Sequence, residues 1–95
     1  MHKLVIDEKN HLDLFNKLFD IKYIRPLDKQ HNSLKKWLSR RTVTDEYITT
    51  AMEIDKWIKD HYVDVGNMNV GKCSPTITLS FVSENDKIEF KLLFI

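Results

Sequence analysis

The stretch most suggestive of chemistry is Gly66-Asn67-Met68-Asn69-Val70-Gly71-Lys72-Cys73, which has the G-x-x-x-x-G-K spacing of a phosphate-binding loop. Such a loop needs a Ser or Thr hydroxyl after the lysine to hold magnesium. It also needs a helix directly behind it, so that backbone N–H groups face the phosphates. Here Cys73 stands at the hydroxyl position, and Pro75 and a β-patterned run follow. The stretch therefore reads as a glycine-punctuated connector.

The four histidines, His2, His11, His31 and His61, contain no i,i+4 pair, and no second cysteine joins Cys73. On spacing alone neither a metal site nor any cofactor is expected. His31 falls on the apolar face of a predicted helix, and His61 in the last turn of another, where partial positive charge suits the helix dipole. No elbow motif surrounds Cys73, so no nucleophile is assigned. Asp55 falls inside an apolar helical stripe, and Arg41 on the apolar side of the preceding helix. An Asp55–Arg41 ion pair would satisfy both, because a buried carboxylate needs a partner. With no second group beside Asp55 to complete an acid–base pair, the chain reads as a non-enzyme.

These residues sit on elements that hydrophobic periodicity outlines. A strand is expected over 2–6 and a helix over 7–20, capped by Asp7. Leu12, Phe15, Leu18 and Phe19 form its apolar stripe, widened by Leu14, with Lys9, Asp13, Asn16, Lys17 and Asp20 opposite. The run 21–26 reads as a short strand or extended connector, because Pro26 disfavours helix before it. A second helix is expected over 28–41, with Leu27, His31, Leu34 and Leu38 inward. A third runs over 44–62, capped by Thr44 or Thr42, with Asp45 and Glu46 in its first turn and Tyr47, Ile48, Ala51, Ile54, Ile58 and Tyr62 on one face.

Alternation of Ile77, Leu79 and Phe81, then of Ile88, Phe90, Leu92 and Phe94, across Ser83-Glu84-Asn85-Asp86-Lys87 predicts a C-terminal hairpin joined by the first strand. The expected fold is thus α+β, order β-α-α-α-β-β, a single compact domain over 1–95 with three helices on one face of a small, mostly antiparallel sheet. Leu93 and Ile95 would lie on the nominally polar face of that hairpin, to be covered by a helix or by a partner.

Charge is segregated along the chain. The 95 residues carry a formal charge of only +1. Yet 25–41 holds six cations and one anion, and 42–64 holds six anions and two cations. In the basic helix Lys29, Lys36 and Arg40 share a stripe, with Trp37 beside them. In the acidic one Trp57 stands off the main stripe near Glu53. Lys29, Lys36, Trp37, Arg40, Glu53 and Trp57 are therefore the expected contacts to a protein partner, in a stoichiometric inhibitor or regulator. The alternative is a nucleic-acid-binding module using Lys35, Lys36, Arg40 and Arg41. Against sequence-specific DNA reading, the helix placed as a recognition helix opens with Thr44-Asp45-Glu46, which would meet phosphates unfavourably.

A lone cysteine fits a reducing compartment, and no run has the length of a signal-peptide core or a membrane span. A cytoplasmic protein with no membrane partner is expected. Lysine far outnumbers arginine and alanine occurs once, a bias of AT-rich genomes; with the small size, this admits a viral or mobile-element source.

Overall fold

The computed structural model describes residues 2–24, 43–71 and 74–95. The expected basic helix over 28–41, Arg41 and Cys73 lie outside the described residues. The architecture of the described residues is α+β: a three-stranded antiparallel sheet and three helices that share one core.

Strand β3 (Thr76–Phe81) is central, between β1 (His2–Asp7) and the short β2 (Asp64–Val65). The register pairs Leu4 with Leu79, Ile6 with Ile77 and Val65 with Leu79. Residues directly opposite across a ladder point to the same side. One face therefore presents Leu4, Ile6, Val65, Ile77, Leu79 and Phe81 to the core, while Lys3, Val5, Thr76, Thr78 and Ser80 line the other. Gly66 continues β2, its N–H donating to the Thr78 carbonyl at 2.9 Å. A Cβ at this glycine would stand 2.9 Å from the same carbonyl oxygen, so the close approach needs the missing side chain.

Helix α1 (Leu12–Phe19) begins five residues later than Asp7, which is not its cap. Asp7 instead closes the turn after β1. Its carboxylate accepts from the Lys9 N–H at 2.7 Å and from the Ser74 hydroxyl, and the Ser74 bond in particular holds its pKa below the usual value. Leu14, Phe15 and Leu18 enter the core, whereas Leu12 is exposed. Of the segment expected to extend, 21–26, the described part 21–24 instead continues α1 as a π-helical turn over Asp20–Ile24. The wider turn carries Asp20 inward: it is 3% exposed, not on the solvent face, and accepts from the Tyr47 hydroxyl at 2.8 Å.

Helix α2 (Asp45–Asp60) has the expected cap, with Thr44 Oγ1 accepting from the Tyr47 N–H at 3.1 Å. It ends in a reversal in which Tyr62 donates to the Lys59 carbonyl and Val63 to the Ile58 carbonyl. These two bonds satisfy helix-terminal carbonyls when the residue after the cap is left-handed, and that residue is Tyr62, at φ 54°. Tyr62 is 83% exposed, so the expectation that it shares the core face of the helix is corrected.

The second arm of the expected hairpin is a helix, α3 (Glu84–Phe94). Ser83 caps it, its hydroxyl oxygen accepting from the Asp86 N–H at 3.1 Å. The antiparallel hairpin partner of β3 is β2, one element earlier in the chain.

Candidate functional site

Helix α3 presents three sides, each with a different chemistry. Its inner side carries Phe90 and Phe94, one turn apart. Phe90 is fully buried and lies 5.5 Å from Phe81 and 5.4 Å from Trp57, centroid to centroid. Trp57 is 9% exposed and also meets Phe81 and Phe94 edge-on. Trp57 is thus a core residue of α2 and not a surface anchor, which removes it from the expected partner contacts. Its indole N–H is buried with no hydrogen-bond acceptor among the described residues.

A second side of α3 carries Asp86 and Glu89, three residues apart and hence neighbours along the helix surface. There they meet His61, the residue that closes α2. A ring nitrogen of His61 and one carboxylate oxygen each from Asp86 and Glu89 lie within 4.8 Å of one another. The imidazole is fixed in two ways. It stacks on the Trp57 indole, with centroids 3.9 Å apart and planes 16° from parallel. Its Nδ1 is 2.9 Å from the Trp57 carbonyl oxygen. A carbonyl only accepts, so Nδ1 carries the proton, and in the neutral ring Nε2 keeps the lone pair.

The third side faces solvent with Ile88, Leu92 and Ile95, at i, i+4 and i+7, exposed by 47%, 81% and 51%. Lys87 and Lys91 run along one edge of this stripe, and Asn85 and Glu89 along the other. At its C-terminal end Ile95 and the exposed Leu12 of α1 line the same cleft, of about 360 Å³.

Of the six expected partner contacts, Lys29, Lys36, Trp37 and Arg40 lie outside the described residues, as do Lys35 and Arg41 of the nucleic-acid alternative. Glu53 is exposed on α2, beside Met52 in a shallow cleft with Lys56. Asp55 is buried as expected, and Lys59 Nζ approaches its carboxylate at 3.4 Å. The loop behind Gly66 leads through a bridge between Asn69 and Thr76 into β3, and the element that follows is a strand, not a phosphate-facing helix.

The sequence reading missed both outer sides of α3. The signal for the apolar one was present in Ile95, which had no place on a half-polar strand. The signal for the other was not, since its ligand-type residues come from the end of α2 and the start of α3, which residues 61–83 separate.

No helix among the described residues is long and apolar enough to cross a membrane. No family model, curated protein or solved structure matches the chain.

Proposed function

We propose that the protein acts in the cytoplasm by stoichiometric binding to a protein partner, as an inhibitor or regulator, and not by catalysis. The observation that carries this reading is the solvent-facing stripe Ile88, Leu92 and Ile95 on a helix whose opposite side is already buried in the core. A helix that needs only to pack spends one apolar stripe inward and leaves the other side polar. Contiguous exposed apolar surface edged by charge is the pattern of a docking face.

The chemistry of the edges selects the occupant. Lys87 and Lys91 border one side, so the partner face is an apolar ridge flanked by carboxylates on that side. Such charges act mainly on the encounter rate and on orientation, while the apolar centre holds the complex. The basic block of 25–41 favours a second reading, contact with nucleic acid, which the same experiment separates.

The test is capture from source-cell lysate, with and without nuclease, by the wild type and by Ile88→Gln/Leu92→Gln. Glutamine keeps helix propensity close to leucine. The expected result is a protein retained by the wild type, insensitive to nuclease and lost with the double variant at unchanged melting temperature. Equal retention by the variant, no retained protein, or retention abolished by nuclease would overturn the reading.

A further inference from the structure

The meeting of His61 with Asp86 and Glu89 is not required by the fold. Acidic residues in the first turn of a helix are favoured by its dipole, which accounts for Glu84 and Asp86. Glu89 is in the second turn, where that effect has faded, and it places a second carboxylate beside the first. Two like charges one turn apart are mutually unfavourable unless something positive sits between them. The position facing both is occupied by an imidazole whose Nδ1 is committed to a backbone carbonyl, which leaves Nε2 as the lone-pair donor of the neutral ring. A histidine oriented in this way, with one N–H held by a carbonyl and the remaining lone pair free of it, is the usual state of a metal-ligating histidine. The stack on buried Trp57 fixes the ring plane before any ligand arrives.

We propose that His61, Asp86 and Glu89 bind a divalent transition-metal ion of the zinc class. His61 would ligate through Nε2 and the carboxylates through one oxygen each, with solvent completing the coordination. The donor set decides the class. One imidazole nitrogen and two carboxylate oxygens suit zinc and its neighbours, whereas magnesium and calcium take oxygen ligands alone. The spacing is close to what is needed. Because the three atoms lie within 4.8 Å of one another, an ion at their centre would stand at most about 2.8 Å from each. Zinc bonds to nitrogen and oxygen are about 2.0–2.2 Å, and rotation of the exposed Glu89 side chain shortens the difference.

The ion's role is structural. It joins the end of α2 to the first half of α3, and so fixes the helix that bears both the aromatic core and the exposed stripe. This inference stands whether or not that stripe docks a partner.

The experiment is titration of the chelator-stripped full chain with Zn²⁺ by calorimetry, in a Cys73→Ser background so that the thiol does not compete. One equivalent is expected to bind and to raise the melting temperature, because an ion that prefers the folded state stabilises it. Glu89→Gln and Asp86→Asn preserve shape and should each weaken binding tenfold or more. His2→Ala removes the imidazole paired with Glu84 at 2.8 Å and should leave the affinity unchanged. In a Trp37→Phe background Co²⁺ should quench the fluorescence of Trp57, and His61→Gln should abolish the quenching. No stoichiometric binding would overturn the proposal. So would an affinity insensitive to both carboxamide variants, or one lost with His2→Ala.

Discussion

Helix α2 turns Ala51, Ile54, Trp57 and Ile58 into the core and leaves Met52 as its one large apolar side chain that is clearly exposed. Helix α3 buries Phe90, half-buries Phe94, and exposes Ile88, Leu92 and Leu93. The two helices contribute to the same aromatic cluster through Trp57, Phe90 and Phe94, so both hold the fold together. Only α3 keeps a second apolar side in water. Where a helix's apolar residues exceed what its core contact uses, the surplus marks surface that has a use of its own. The contrast separates a helix that is architecture from one that is architecture and interface at once.

The comparison is broken most directly at the two sides of α3. Phe90→Ala should destabilise by about 3–5 kcal/mol, since it opens a cavity among Phe81, Trp57 and Phe94. Leu92→Gln should change stability by no more than about 0.5 kcal/mol, as surface substitutions do. Denaturant unfolding of the two variants checks this, and equal losses would erase the distinction between the sides.

A smaller effect concerns how each helix starts. Thr44→Ala and Ser83→Ala each remove a side-chain oxygen that accepts an N–H three residues on, and each should cost about 1 kcal/mol. Thermal melts of the pair would show whether α3, which carries the interface, is capped as firmly as α2. A cost at Thr44 with none at Ser83 would mean that α3 is held by its phenylalanines alone.

The smallest effect is at the end of α2 and has the opposite sign. Tyr62 adopts a left-handed conformation that costs a non-glycine residue about 1–2 kcal/mol. Tyr62→Gly relieves it but adds freedom to the unfolded chain, about 0.4–1 kcal/mol. The net gain should be roughly 0.5 kcal/mol, read as a raised denaturant midpoint. A loss instead would show that the exposed ring contributes packing.

Much of this was legible in the residues. Thr44 before Asp45-Glu46 marks the start of α2, and alternation over 76–81 gives β3 and its buried face. Over 88–94 the same alternation misleads, because a period of two also places Phe90 and Phe94 four apart, where a helix brings them together. Ser83 and Asp86, read as turn residues, are the start of a helix, Ser-x-x-acid. Asp20 shows a different limit. Its inward position depends on one π-helical turn, and no periodicity at 3.6 residues anticipates a local change of pitch. The triad of His61, Asp86 and Glu89 was invisible to spacing, since only the packing of α2 against α3 assembles it.

The order of strands bears on how the molecule forms. The central strand of the sheet comes after both its neighbours in the chain, and β1 pairs with it across about 70 to 80 residues. Among the described residues the ladder partner of both β1 and β2 is β3, so neither ladder can form before β3 emerges from synthesis. Phe90, which closes the core, follows later still. Closing so long a loop adds an entropic barrier that grows only slowly with length, but the contacts that offset it all arrive late. Assembly of the sheet is therefore a late event. Until it occurs, β1 is an unpaired edge available to any other nascent strand, and the lysine at its second position, Lys3, is the kind of charge that discourages such pairing.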